Sequence, residues 1–154
     1  MDAVFQTKSA VFNYRTAAVW IEDGHILLHR QDDDTYWALP GGRVKIGEDS
    51  MTSLKRELKE ELGADAEVDQ LLWFTENFFE YKNAPFHEIG LYYSVTRKGS
   101  SILKHGPFFG LEGERLIYQW VPLEELSSLT VYPAFLQEGL LKMPASTEHL
   151  VLHT

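Results

Sequence analysis

The sequence contains no cysteine among its 154 residues. Without thiols the chain can form neither a disulfide nor a thiolate metal site, and it lacks the nucleophile of a cysteine hydrolase. Proteins of reducing compartments commonly have no disulfides, so we expect a cytoplasmic protein.

Long apolar runs and the motifs of several enzyme classes are also missing. No apolar run approaches the roughly 20 residues that span a bilayer, and the N-terminus MDAVFQTKSA lacks the basic start and apolar segment of a signal peptide. The chain contains no H-E-x-x-H, G-x-S-x-G or G-x4-G-K-[ST] sequence. The sequence therefore gives no support for a membrane protein, a zinc peptidase, a serine hydrolase or a P-loop NTPase.

Basic residues are few. The 14 Lys and Arg residues face 23 Asp and Glu residues, which gives a formal net charge of −9. This balance disfavours a dedicated nucleic-acid binder, since such a protein needs a basic surface to displace phosphate counterions. A phosphate-bearing small molecule remains compatible with an acidic chain when bound cations reverse the local field. The charge thus points to metal ions, and we expect no stable nucleic-acid or membrane partner.

Length and patterning predict one globular α/β domain over residues 1–154. Hydrophobic residues make up 44% of the chain and charged residues 24%, which is ordinary for a protein with a packed core. Asp23-Gly24 is suited to a hairpin turn, and Lys98–Gly113 is predicted to be a loop because it holds four glycines and a proline. The predicted strands are Thr16–Ile21, His25–His29, Tyr36–Leu39, Leu71–Tyr81, Glu88–Thr96 and Arg115–Val121. The predicted helices are Met51–Leu62 and Pro133–Leu141, so the strands form a mixed sheet covered by helices.

The densest pattern in the chain is Gly42–Ala64, GRVKIGEDSMTSLKRELKEELGA. It reads G-x5-E-x7-R-E-L-x-E-E-x-G-A, with x for any residue. The Gly41-Gly42 turn precedes it and lets the backbone approach an ion or a phosphate closely. Asp49 or Ser50 is the predicted N-cap of the helix, and Gly63 ends it.

The helix within this segment is predicted to have two functional faces. At about 100° per residue, one narrow arc is apolar and forms the expected core face, made of Met51, Leu54, Leu58 and Leu62. Glu57, Glu60 and Glu61 occupy a separate arc, because spacings of three and four bring side chains together. Clustered carboxylates repel one another, and a hard cation such as Mg²⁺ or Mn²⁺ would turn that repulsion into binding energy.

This segment resembles the signature of the Nudix hydrolases, a family that includes the MutT-like pyrophosphohydrolases. The resemblance implies an α/β/α sandwich with a loop–helix–loop motif, and metal-dependent cleavage of a pyrophosphate in a nucleoside diphosphate linked to another moiety. It also implies that Glu57, Glu60 and Glu61 bind metal, that a carbonyl near Gly42 joins them, and that Glu57 acts as the base. Glu48 and Arg56 would form a structural pair that orients Glu57.

Two positions depart from the family pattern. Ala64 stands where the family usually has a bulky aliphatic residue, which should affect packing only. Lys45 stands where many members have a glutamate, and it could meet a substrate phosphate, although we expect it to point to solvent.

Candidates outside the segment extend the predicted site. A loop glutamate often supplies a further base or ligand in this family, and here Glu112 is preferred over Glu114. Glu88 could face the metal, but a surface position at a strand end is the favoured interpretation. Aromatic residues on the strand after the helix are available for a substrate pocket, and the ones we select are Phe79 and Tyr81. Tyr81 lies 17 residues beyond Ala64, a spacing that resembles a marker of dinucleoside polyphosphate hydrolases.

Two other interpretations compete with hydrolysis. The first is a catalytically silent nucleotide-sensing module on the same fold, although such modules usually lose carboxylates that this chain keeps. The second is an isoprenoid diphosphate isomerase, whose chemistry generally needs a cysteine. The substrate could be a nucleoside triphosphate, a nucleotide sugar, a dinucleoside polyphosphate or capped RNA, and the resemblance leaves a homodimer open. For a pocket we also considered Tyr132 and Phe135, for which a core position on the second helix is the favoured interpretation.

Overall fold

β-Strands make up most of the chain, and the computed structural model describes residues 1–154. The nine strands are β1 (Val4–Gln6), β2 (Val11–Glu22), β3 (His25–Gln31), β4 (Gly41–Arg43), β5 (Ala66–Tyr81), β6 (Ala84–Arg97), β7 (Phe108–Gly110), β8 (Gly113–Pro122) and β9 (Glu148–His153). The α-helices are α1 (Ser50–Leu62) and α2 (Leu136–Gly139), and a 3₁₀ helix spans Leu123–Ser128.

Strand β2 organises the sheet. Its first half pairs with β1 and β4 on one side and runs parallel to β6 on the other. Its end forms the predicted hairpin with β3 through Asp23 and Gly24, whose φ angles of 49° and 71° suit a two-residue turn. The strand order is β7-β8-β3-β2-β6-β5-β9, and β5 is parallel to β9. The predicted mixed sheet is therefore confirmed.

The sheet has one apolar core on each face, because alternate residues of a strand point to opposite sides. On one face Ala18 and Trp20 pack with Leu54 and Leu58 of α1. On the other face Val19 packs in a core that includes residues of α2 and of the 3₁₀ helix. Two covered faces give the α/β/α sandwich that the resemblance implied.

Helix α1 begins and ends as its sequence predicts. The Asp49 side chain accepts hydrogen bonds from the backbone nitrogen and hydroxyl of Thr52, at 2.9 and 2.7 Å, so Asp49 is the N-cap. Gly63 ends the helix with a φ of 66°, in the left-handed region that favours glycine.

The buried face of α1 is rotated from the predicted one. Met51 is exposed, whereas Ser50 and Ser53 are buried, and the Ser50 hydroxyl lies 2.6 Å from the Tyr93 hydroxyl. This rotation also buries Glu61, so the prediction that the acidic and apolar arcs are separate is wrong for Glu61. Polar partners on the sheet select this face, and the apolar pattern of the helix alone does not contain that information.

Four other predicted elements need correction. Residues 36–39 form only isolated bridges at Trp37 and Ala38, and the Gly41-Gly42 turn is part of β4. The predicted loop at 98–113 contains the short strand β7, which pairs with β8. The predicted second helix is reduced to the four residues of α2, which begins after Pro133. No helix is both long enough and apolar enough to cross a membrane.

Candidate active site

A cavity of about 740 Å³ lies between the edge of the sheet at β4 and helix α1. It brings together residues that are far apart in the sequence, since Glu57, Glu60 and Glu61 of α1 line it together with Lys45, Glu112 and two predicted aromatic residues. The aromatic residues are Phe79 and Tyr81, whereas Glu114 is not part of the lining. Lys45 is half-buried and lines the cavity.

Arg56 organises the carboxylates of the Gly42–Ala64 segment. Its Nε donates to both Glu48 oxygens at 3.2 and 3.0 Å, and one terminal nitrogen donates to Glu48 Oε1 at 3.0 Å. The other terminal nitrogen donates to Glu57 and to Glu60, both at 3.1 Å. The hydrogen bonds from Arg56 lower the pKa of Glu48. The predicted Glu48–Arg56 pair is thus present, and it fixes the guanidinium against Glu57.

Glu57 and Glu61 form a carboxyl pair on the cavity wall. They lie one turn apart on α1, and each affects the pKa of the other. Burial raises the pKa of Glu57, against the opposing effect of Arg56. Burial also raises the pKa of Glu61 to about 8, with further contributions from Glu57 and Glu112, although a hydrogen bond from the Tyr118 hydroxyl at 3.2 Å opposes the shift. Burial and mutual repulsion therefore both favour the protonated form of this pair.

Glu60 lies apart from the Glu57–Glu61 pair. Its side chain is 48% exposed and is held by Arg56. The structure contains no group of three or more His, Asp or Glu side chains arranged to hold a metal ion. The predicted cluster of three carboxylates is therefore split, because Glu61 turns towards the core while Glu60 stays on the solvent side of α1.

Gly42 is required by its contact with Glu57. A Cβ atom at Gly42 would lie 2.5 Å from Glu57 Cδ and 2.7 Å from each carboxylate oxygen. Only a residue without a side chain permits this approach. The Glu57–Glu61 carboxyls beside a bare backbone offer hard oxygen donors in a confined space, which fits a divalent cation such as Mg²⁺ or Mn²⁺.

Arginines absent from the sequence predictions also line the cavity. Arg15 of β2 and Arg43 of β4 are partners in the strand register, and Arg115 lies on β8. None of these three forms an ion pair, and the Nε atom of Arg43 is buried without a hydrogen-bond partner. In a chain of net charge −9, unpaired cations directed at one cavity favour an anionic ligand. An arginine inside a strand, as Arg15 is in β2, was the available signal.

Glu88 lies in the middle of β6, and the predicted surface position at a strand end is wrong. It is 9% exposed, lines the cavity and accepts a hydrogen bond from Asn13 Nδ2 at 3.1 Å. Burial raises the pKa of Glu88, while Arg15 and Arg43 lower it. The strand begins earlier than predicted, at Ala84, because the Lys82-Asn83 turn adopts positive φ angles and closes a hairpin with β5.

Five aromatic rings form one wall of the cavity. The members are Tyr36, Phe79, Tyr81, Phe86 and Tyr132. Phe79 and Phe86 stack with centroids 5.2 Å apart, and Tyr132 contacts both Phe79 and Tyr36. The core position favoured for Tyr132 is therefore wrong, whereas Phe135 packs on Trp73 and Tyr92 in the core as expected.

The buried His29 on the cavity wall predicts a pH-dependent stability. Burial lowers its pKa from 6.5 to about 3, and Arg15 and Arg115 contribute. The folded state therefore binds fewer protons than the unfolded state between these values. The contribution of His29 to stability is complete above pH 6.5 and is lost as the pH falls towards 3. At pH 5 the loss is about 2 kcal/mol.

Comparison with a His29→Gln variant isolates this effect. Glu61 acts in the opposite sense, since its raised pKa adds stability as the pH falls from 8 towards 4.5, but its contribution is common to both proteins. Urea denaturation at pH 7.5 and pH 5 should show the difference between wild type and variant moving by about 2 kcal/mol in favour of the variant. The exposed His105→Gln variant should show no such movement. An equal difference at both pH values for His29→Gln would contradict the prediction.

Comparison with known proteins gives matches to one family. The family model described as the NUDIX domain matches residues 13–140. A MutT-like protein of Streptomyces ambofaciens is 41% identical over 56 residues, which are 36% of this chain and 36% of that protein. An 8-oxo-dGTP diphosphatase of Buchnera aphidicola is 33% identical over 90 residues, which are 58% of each chain. These matches span about a third to three fifths of the relatives' own lengths.

A solved structure gives the same fold. The mutator MutT protein of Bacillus halodurans superposes with a TM-score of 0.64 at 16% identity, over 89% of both chains. At this identity the match speaks for the fold alone.

Proposed function

The chain belongs to the Nudix family, and from that premise we propose that it hydrolyses a pyrophosphate bond in a nucleoside diphosphate linked to another moiety. The observation that carries the proposal is the Glu57–Glu61 pair, held against Gly42 in the same cavity as three unpaired arginines and an aromatic wall. Carboxylates for a cation, arginines for phosphates and rings for a base are the parts that such a substrate needs.

We assign a divalent cation, Mg²⁺ or Mn²⁺, to the Glu57–Glu61 pair. Backbone at Gly42 and the Glu60 carboxylate, which now bonds to Arg56, complete the set predicted from the sequence. When bound, the cation neutralises the pyrophosphate charge and lowers the pKa of attacking water.

The chain's own residues supply the remaining functions. Arg43 and Lys45 line the cavity and bind phosphate oxygens, and Arg15 lies across β2 and β4 from Arg43. Arg56 holds the Glu57 carboxylate in place through its bonds to Glu48. We assign Glu57 the role of proton acceptor for the attacking water, and Glu112 the role of a second acidic group beside Glu61.

A panel of substrates tests this proposal. Purified protein is incubated with nucleoside triphosphates, nucleotide sugars, dinucleoside polyphosphates and capped RNA, each with Mg²⁺, with Mn²⁺ or with a chelator. We expect one class to release a nucleotide and a phosphorylated remainder, with the release abolished by the chelator. Nucleotide binding without turnover of any class would instead favour the silent sensing module.

We further propose a cytoplasmic location and a free nucleotide as partner. The cysteine-free composition supports the first, and the net charge of −9 supports a nucleotide over a stable nucleic-acid partner. Light scattering in solution would decide between a monomer and a homodimer.

A further inference from the structure

A row of three buried polar side chains runs across one face of the sheet. Asn13 of β2, Glu88 of β6 and Asn77 of β5 are partners in the strand register, and they are 2%, 9% and 1% exposed. Burying polar groups costs free energy unless they are hydrogen-bonded. Asn77 is satisfied within the protein, because it bonds to the hydroxyls of Tyr132 at 3.5 Å and Thr154 at 3.0 Å.

Asn13 and Glu88 line the cavity and are only partly satisfied. The bond from Asn13 Nδ2 to Glu88 Oε2, at 3.1 Å, is the one hydrogen bond that joins them. It leaves Asn13 Oδ1 buried without a partner, and it leaves Glu88 Oε1 outside the bond. The pair therefore has two neighbouring acceptors without a protein partner at the cavity wall, and a ligand reaches the buried Asn13 Oδ1 when the Asn13 side chain shifts.

The next row of the same face supplies donors. Arg43, Arg15 and Gly90 are register partners across β4, β2 and β6. A Cβ atom at Gly90 would lie 2.6 Å from Thr75 Oγ1, so this position must have no side chain. We call the surface formed by Asn13, Glu88, Arg15 and Gly90 the floor of the cavity, and the bare Gly90 keeps it open beside Arg15. A purely structural cluster would pair a buried carboxylate with an adjacent arginine. Here Glu88 and both arginines stay apart, which leaves acceptors and donors free for a ligand.

The aromatic wall determines what kind of ligand fits above this floor. Phe79 and Phe86 lie on the two strands β5 and β6 and stack as a flat surface. A planar heteroaromatic ring can stack on such a surface and direct its edge to the floor.

We propose that Asn13 and Glu88 read the base of the substrate and select the guanine-type edge, in which two adjacent N–H donors stand next to a carbonyl. The two acceptors receive the ring N–H and the amino group, and Arg15, which lies beside β6, donates to the carbonyl. Adenine and cytosine place a ring-nitrogen acceptor beside their amino group, and uracil flanks its N–H with carbonyls. Each of these bases would leave a buried acceptor unpaired, which disfavours binding. The inference rests on the proposed function, since both use the same cavity.

Calorimetric titration with monophosphates tests the inference without turnover, since a monophosphate has no pyrophosphate bond. In Mg²⁺ buffer we expect GMP to bind at least about tenfold more tightly than IMP, which lacks the amino group, and more tightly than AMP. Equal affinities for GMP and IMP would overturn the inference. A preference for GMP in a protein that hydrolyses nothing would refute the proposed function and leave the base selection standing.

Variants assign the preference to named side chains. Glu88→Gln should reduce the ratio of GMP to IMP affinity to within about twofold, because the amide offers a donor where the purine also offers one. Glu76→Gln makes the same chemical change on β5 at the neighbouring strand pair, Glu76 with Ile89, and should keep the wild-type ratio. A ratio unchanged in Glu88→Gln would overturn the assignment. If Glu88→Gln does not fold, Asn13→Ser takes its place. The comparison of GMP and IMP binding to the wild-type protein tests the base selection in either case.

Discussion

Replacing Glu57 by glutamine is expected to lower kcat for pyrophosphate hydrolysis by about three orders of magnitude. The substitution keeps the volume of the side chain but removes the charge that faces the cavity and the group that accepts a proton. Stability should change little, with a Tm within about 3 °C of wild type. The variant weakens the charged bond from Arg56 to a neutral one, because the amide oxygen can still accept it, and it also removes the repulsion between Glu57 and Glu61. Nucleotide release and thermal unfolding measure the two effects.

A matched control separates the site from charge in general. Glu67 is about half exposed and pairs with Lys98 at 3.6 Å, outside the cavity lining. Glu67→Gln therefore changes the net charge by the same amount without touching the cavity. We expect its turnover to equal that of wild type. If the turnover of Glu57→Gln stays within about fivefold of wild type, Glu57 has no part in the mechanism. If the Tm of the variant falls far enough for unfolding to account for the lost activity, the role of Glu57 is structural.

The local sequence was sufficient to predict the parts of the site that lie on one element. The spacing from Gly42 to Ala64 predicted the helix and a cap at Asp49 or Ser50, and the family resemblance implied the Glu48–Arg56 pair. Each depends on residues within a few turns of one another. Alternation in the strands likewise gave the mixed sheet. Local patterns of this kind fix a structure whenever the partners are close along the chain.

Contacts between distant segments explain what the sequence did not predict. Glu61 is buried because Tyr118 on β8 meets it, and no helical pattern contains that partner. The floor of the cavity depends on the register that sets Asn13 beside Glu88 and Arg15 beside Arg43. A shift of one residue in either pairing would turn these side chains to the other face. The polar floor therefore became visible only when strand neighbours and register were known.

The Gly42→Ala substitution is expected to abolish most of the activity, because it displaces the Glu57 carboxylate. The added methyl group would lie 2.5 Å from Glu57 Cδ, so the Glu57 side chain must move away from Glu61 and from Arg56. Gly42 has no positive φ angle that would strain an alanine, and the effect should therefore be steric. We expect kcat/KM to fall by about two orders of magnitude, since displacing a catalytic group by about 1 Å is enough for such a loss. Steady-state kinetics and calorimetric titration with Mn²⁺ measure turnover and cation affinity.

A double-mutant cycle shows whether the methyl group acts through Glu57. In a Glu57→Ala background the methyl of Gly42→Ala has space, because the carboxylate that it would strike is gone. The two substitutions should then be strongly non-additive, and the double variant should be no less active than Glu57→Ala alone. Additive losses would mean that Gly42 acts by another route, such as the pairing of β4 with β2 at Thr16. In that case a lower free energy of unfolding for Gly42→Ala would accompany the loss of activity, whereas displacement of Glu57 leaves the strand pairing and the stability intact.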